Sequence, residues 1–397
     1  MSKKWKWLHI YQMGRILGIL WLIGSICLTS KGSTVVAETK LSNPLDSTLP
    51  DPLLPSQKVK RPLSSFEKYR IKREIVKLDR EAKTELESEN GDRAFSLWYR
   101  VLRLQRRIGV SEEVVALGNI GEIAWSENRG EDVRMIFNRL EDIQQQAKKD
   151  NNLDSLLLNN LGTAYQQVRY LDQAISIYQQ LLVKARKDDS LVKERDNLEV
   201  LGKLHLARFD YNSAAPVYQE LLKLNNTETN ENYLKNLRLI YDHTAQLDKS
   251  IAIKKELAEI YLDRQQITEL ATIQIDIADD YTALQNTQQA EAYYQQALSL
   301  AESTKQLAIA SQALTKLAIL YRQRDRIEKM ISTYQELITI QQQTYDLYGW
   351  MDSCDRLAQI YQVQGNLAQA KDFWQQGLQL AQTLNYRVNY FEKQLNN

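Results

Sequence analysis

Between Leu158 and Leu182 the chain reads LNNLGTAYQQVRYLDQAISIYQQLL, an apolar stripe at helical spacing in which Gly162, Tyr165, Ala174 and Tyr178 stand at offsets of zero, three, twelve and sixteen. The same pattern returns along the chain. Its small residue falls at Ala82, Gly121, Gly162, Gly202, Ala278, Ala318 and Ala358, mostly 39 to 41 residues apart. Twelve further on stand Ala94, Val133, Ala174, Ala214, Ala290, Met330 and Ala370. Sixteen further on comes an aromatic: Trp98, Phe137, Tyr178, Tyr218, Tyr294, Tyr334 and Trp374. One copy is irregular, with Arg238, Ser250 and Lys254 in these places. Each copy predicts two helices. The turn signals Asn90-Gly91-Asp92, Gly130-Glu131-Asp132 and Gly365-Asn366 lie between them. The small residue lets the backbones approach, and the aromatic fills the remaining gap. No pair can bury its stripe alone, so the pairs must stack into a solenoid. Ser64 and Glu67 have the spacing of a capping box and mark where helix begins.

This pattern of a small residue, Tyr, Ala and an aromatic resembles the tetratricopeptide (TPR) repeat family over residues 66 to about 384, in eight copies. The resemblance implies an all-α, right-handed solenoid of about eight helix-turn-helix units, with first helices lining a concave face where partners lie. The period near 40 residues exceeds the family's usual 34, and the proline that often ends the second helix is missing. Both departures predict longer second helices or longer loops between units. Residues 386–397 read as half a unit closing the end of a solenoid that spans residues 64–385.

The ends differ from this pattern. Residues 1–37 combine lysines, Arg15, the apolar run Ile16 to Leu28 and the short residues Val35-Val36-Ala37, the layout of a secretory signal peptide. The apolar run is short for a bilayer span, and an uncleaved anchor is the less favoured reading. Residues 38–63 carry five of the six prolines and read as an extended Pro-rich linker or a docking peptide. Export implies a periplasmic or thylakoid-lumen location. Lys plus Arg is 51 against 50 for Asp plus Glu, which gives no electrostatic argument for nucleic acid or an anionic membrane. Beyond residue 37 the one cysteine is Cys354, so stability there must come from packing.

Catalytic chemistry is not indicated. There is no HExxH, paired CxxC, P-loop or GxSxG, and no cofactor or metal is expected. His205 replaces the Tyr of other copies and reads as a core residue. Asp276, Asp279 and Asp280 share a helix face, either as a solvated acidic face or as ligands for a hard cation. Pro216 reads as a first-turn proline capped by Asn212 or Ser213. The partner-binding candidates flank the stripe on the first helices: Asn119, Trp125, Asn159, Thr163, Gln166, Lys203, Lys235, Asp242, Asp279, Arg322, Asp355 and Gln359. Trp125 is the sharpest of them, either an exposed aromatic anchor or a residue packed on the linker or first unit. The mixed signs suit a polar peptide or a protein surface, with a membrane protein among the partners allowed. A non-enzymatic interaction scaffold outside the cytoplasm follows. The whole layout is also similar to the exported cyanobacterial processing-associated TPR family, which assists maturation of the photosystem II core and is linked to manganese delivery. The alternatives are a structural scaffold at the envelope, septum or secretion apparatus, and a regulatory adaptor of an enzyme.

Overall fold

The computed structural model describes residues 43–45, 50–54, 61–224 and 230–396. The signal-peptide reading of residues 1–37 lies outside the described residues. The described residues form seventeen helices and no strand, in consecutive pairs. These are α1 (Ser65–Glu87) with α2 (Gly91–Ile108), α3 (Val110–Ser126) with α4 (Gly130–Lys149), α5 (Ser155–Gln167) with α6 (Leu171–Lys187), and α7 (Leu191–Ala207) with α8 (Tyr211–Leu224). Then come α9 (Asn230–His243) with α10 (Leu247–Asp263), α11 (Ile267–Ala283) with α12 (Thr287–Ser303), α13 (Leu307–Arg322) with α14 (Ile327–Gln343), and α15 (Leu347–Val363) with α16 (Leu367–Leu384), closed by α17 (Val388–Asn396). Each helix packs on its neighbours in sequence, and the first helices α3 and α5 also stack directly. None of the described helices is long and apolar enough to cross a membrane.

The lock between small and aromatic residues forms as the pattern predicts. A Cβ on Gly162 would lie 2.9 Å from Tyr178 Cε2, and one on Gly202 would lie 2.8 Å from Tyr218 Cζ. The second pair departs from it. The space over Gly121 is filled by Val168, from just beyond α5, while Phe137 turns outward and stacks on Tyr170 at 3.7 Å. Gly118 and Gly121 thus bring α3 against α5, where Gly118 faces Ala164. At the far end Phe391 of α17 fills the space over Gly377, so the last pair does not end on bare apolar surface.

Of the two origins expected for the long period, longer second helices is the one present, and the first helices are lengthened with them. Typical helices of both kinds, such as α7, α10, α11 and α12, run 17 residues, and the links between them, such as 264–266, hold three. Both helices are longer than the short family repeat requires, and the loops are not. These turns share one geometry. In the turn after α10, Gln265 adopts φ 56° and Gln266 N–H donates to Tyr261 C=O at 2.8 Å. The left-handed residue is glycine only at Gly365. Elsewhere it is a residue such as Arg169, Phe209 or Tyr345, each held in a conformation that L side chains disfavour. Tyr345 is 84% exposed with φ 53°, so Tyr345→Gly is expected to stabilise the last pairs by about 0.5–1 kcal/mol, read as a rise in the denaturant midpoint. A fall in the midpoint would show that the ring contributes more than the backbone strain costs.

Two further expectations need correction. The capping box of Ser64 and Glu67 is present, but Pro216 is not in a first turn. Asp210 caps α8, with Ser213 N–H donating to its Oδ1 at 3.2 Å, so Pro216 lies a turn inside and leaves the Asn212 carbonyl without its helical donor. The Pro-rich stretch is not a free spacer where it is described. Leu45 is 3% exposed within the core cluster of the first pairs, and Leu53 and Leu54 pack against that cluster.

Candidate functional site

Of the twelve residues predicted to line the binding face, Asn119, Trp125, Asn159, Thr163, Gln166, Lys203, Lys235, Asp242 and Arg322 are exposed, and Asp279 and Gln359 are half-buried. Asp355 is not a surface residue; it is 4% exposed. It accepts from Trp374 Nε1 at 3.2 Å and from Tyr390 OH at 2.9 Å, and pairs with Arg387 at 2.8 Å. It is a structural tie between the last pair and α17. Trp98 Nε1 donates to Asp79 in the same way at the other end of the chain. In both cases Asp and Trp are nineteen residues apart, a signal that could have been read from the sequence.

Others of the twelve are tied to side chains of neighbouring helices or, for Lys235, of their own helix. Asn119 Oδ1 accepts from Gln167 Nε2 at 3.0 Å, Thr163 and Tyr178 hydroxyls share a bond at 3.2 Å, and Lys235 pairs with Glu231 at 2.6 Å. Gln359 Nε2 donates to Tyr390 OH at 3.2 Å. Among the described residues Trp125, Asn159, Gln166, Lys203 and Arg322 make no side-chain hydrogen bond or ion pair.

Two of these residues, Trp125 and Arg322, line clefts. Trp125 is 52% exposed. It lines a cleft of about 420 Å³ with Arg129, Val133, Val168, Arg169 and Tyr170. Arg129 is committed, stacked on Phe95 at 4.4 Å and paired with Asp92 at 2.9 Å. Arg169 has no carboxylate partner among the described residues. The second cleft, about 280 Å³, lies between α13, α14 and α15 and contains Arg322, Arg356, Gln359, Tyr334, Ile360 and Val363. Arg322 and Arg356 face it beside Val363, which is 85% exposed, and make no ion pair among the described residues, although Asp325 also lines the cleft. Arg169 and Arg356 were missed in the sequence. Arg356 lies three residues before Gln359, on the same helical face, and that register was its one available signal.

The acidic face of α11 is answered by cations of the irregular copy. Asp276 pairs with Arg238 at 2.7 Å and Asp280 with Lys254 at 2.6 Å, while Asp279 pairs with Lys316 at 2.9 Å and accepts from the Tyr294 hydroxyl. Ser250 bridges Asp242 at 2.6 Å and Asp280 at 2.9 Å. Burial pushes the Asp276 carboxyl up, against the pull of Arg238. Each carboxylate already has its own protein cation, and among the described residues no group of three or more potential ligands is placed to hold a metal. His205 is buried beside Asp210, at 3.3 Å, as a core residue. Burial pushes the Cys354 thiol up to about 12, so it stays protonated and unreactive near neutrality.

Two buried tyrosines of the repeat pattern give a pH prediction. Burial, then the nearby Glu199, pushes Tyr218 up to about 12; burial, then Glu291, does the same to Tyr321. Their unfolded value is near 10, so their contribution is complete below pH 10 and is lost as pH rises from there through 12. Absorbance at the tyrosinate band is expected to show these groups ionising late and together with loss of helix. Full ionisation by pH 11 with helix retained would contradict this burial.

Profiles described as tetratricopeptide repeat match residues 157–192 and 269–343, which include the Gly162–Tyr178 lock and most of α11 to α14. The chain therefore carries tetratricopeptide repeats in these segments, a repeat whose proteins are generally non-enzymatic interaction scaffolds. No curated protein matches the chain. Among solved structures it is similar to BtubC (BKLC) from P. vanneervenii, at 18% identity, covering 54% of this chain and 92% of that one with a TM-score of 0.37. It is also similar to aspartyl phosphate phosphatase F from Bacillus subtilis, at 16% identity, covering 70% and 78% with a TM-score of 0.39.

Proposed function

We propose that the chain is a protein-binding scaffold that takes an extended, acidic partner segment along its first helices. The observation that carries this is the pair of clefts, each joining exposed apolar surface to a guanidinium that makes no ion pair among the described residues: Arg169 in the first, Arg322 and Arg356 in the second. A guanidinium left open in this way suits a carboxylate, and the adjacent Trp125 or Val363 suits an apolar side chain next to it. The leader-like residues 1–37 support action outside the cytoplasm. A role in photosystem II assembly rests on the similarity of layout alone, with an envelope scaffold or an enzyme adaptor as the other readings.

The test is affinity capture from native envelope extract with the full chain, its Trp125→Ala/Lys203→Glu variant and its Trp125→Ala/Arg322→Ala variant. Proteins retained by the parent are expected to be lost from both, with affinity for an isolated partner reduced at least about tenfold, as for a truncated anchor residue. Unchanged capture by folded variants would remove these faces from the function. A photosystem core subunit among the retained proteins would favour the assembly reading over the structural one.

A further inference from the structure

The Pro-rich segment before α1 contains two copies of one small device. Asn43-Pro44-Leu45 and Asp51-Pro52-Leu53 are both Asx-Pro-Leu. In each, the Asx side chain accepts from the amide of its own leucine, at 2.9 Å for Asn43 and 3.0 Å for Asp51. Proline fixes the middle residue of both turns, so each presents its leucine in a set direction with little conformational freedom to lose.

The surface they meet is arranged to match. Arg100, Arg103 and Arg106 lie at i, i+3 and i+6 on α2, along one face. Arg103 donates to the Pro44 carbonyl, Arg106 Nη1 to the Leu45 carbonyl at 3.0 Å, and Arg100 Nε to Asp51 Oδ2 at 2.7 Å. The two described turns therefore lie in antiparallel order along α2, one at each end of the arginine row. Leu45 is buried, and Asp51 is nearly so. Burial alone would raise the Asp51 carboxyl; the bonds from Arg100 and the Leu53 amide outweigh it and hold the group low.

We infer that the arginine row of α2 is a recognition site for an acidic Asx-Pro-Leu turn, and that residues 43–45 and 50–54 occupy it in cis as a resident ligand. A peptide or partner presenting the same turn docks there by displacing this segment. The site lies on a second helix and does not depend on the clefts of the first helices. A spacer needs neither duplicated turns nor a matched row of donors. A ligand needs both, because backbone carbonyls bonded by arginine fix register while the leucine supplies apolar burial.

The experiment uses full-length protein and a fluorescent synthetic peptide of sequence SNPLDSTLPDPLLP. The parent chain, already occupied, is expected to bind it weakly. A Leu45→Asp/Asp51→Lys variant, with the resident segment disabled, is expected to bind at least tenfold more tightly. Adding Arg103→Ala should abolish that gain, since among the described residues this guanidinium bonds only to Pro44. Equal binding by parent and folded variant would overturn the inference, as would tight binding that survives Arg103→Ala. A second measurement covers a variant that fails to fold. Arg103→Ala alone, in an otherwise unchanged chain, should speed hydrogen exchange of the Leu45 amide at least tenfold. Unchanged exchange would overturn the proposal independently.

Discussion

Glu113→Ala is expected to lower the stability of the first two pairs by about 3 kcal/mol, more than any surface substitution in the chain. Glu113 stands in the first turn of α3, where a negative charge meets the helix N-terminus favourably, yet it is only 1% exposed. Arg139 of α4 grips it with two bonds, at 2.8 and 3.0 Å, and Arg106 of α2 adds a third at 2.7 Å. One carboxylate thus ties three helices. Removing it leaves two guanidiniums facing each other across a largely buried site. That is costlier than the net worth of the intact triad, because desolvation remains when attraction is gone. The estimate sits at the low end of the usual 3–5 kcal/mol because both arginines keep an edge in water. Glu113→Gln, which keeps the shape, should cost less. Hydrogen exchange of α2 to α4 is the suitable readout, since a solenoid can lose local structure without global unfolding. Loss below about 1 kcal/mol would show that the triad is not coupled as the geometry indicates.

Lys254→Ala should have a comparable effect, about 3 kcal/mol, centred on α9 to α11. Lys254 stands where the other copies have an aromatic, and its ammonium is buried between Asp280 at 2.6 Å and Asp242 at 2.9 Å. Alanine would leave Asp280 buried with only the Ser250 hydroxyl. The partner variant Asp280→Asn identifies the cause. Combined with Lys254→Met it should recover most of the loss, giving a coupling energy above about 1 kcal/mol in a double-mutant cycle. Simple addition of the two losses would mean that Lys254 acts through its methylenes and not its charge.

These two sites show where sequence reading succeeded and where it stopped. The lock at Gly162 and Tyr178, the helix pairs and the Ser64 capping box were legible because each depends on neighbours at fixed sequence offsets. The irregular copy and the acidic face of α11 were both visible as oddities, and neither could be explained alone. Arg238 and Lys254 lie in one pair and Asp276 and Asp280 in the next, so each set looks unsatisfied until the pairs are stacked. The apolar core divides at this point, one cluster ending at Ile273 and the other beginning at Ile275. Asp355 was misplaced for a related reason. Its position beside the stripe fits the surface as well as the interior, and only its neighbours Trp374 and Arg387 decide between them.

The sequence by itself determined that this protein is a stack of helix pairs, because hydrophobic period, small residues and aromatics at constant spacing admit little else. The tertiary structure alone decided which charges are ties and which are unpaired among the described residues, and that residues 43–45 and 50–54 lie against α2. The physical reason is distance: helix register is set by residues a few positions apart, whereas a charge is paired or left open by residues from other helices, 26 positions away for Glu113 and Arg139 and 49 for Asp51 and Arg100.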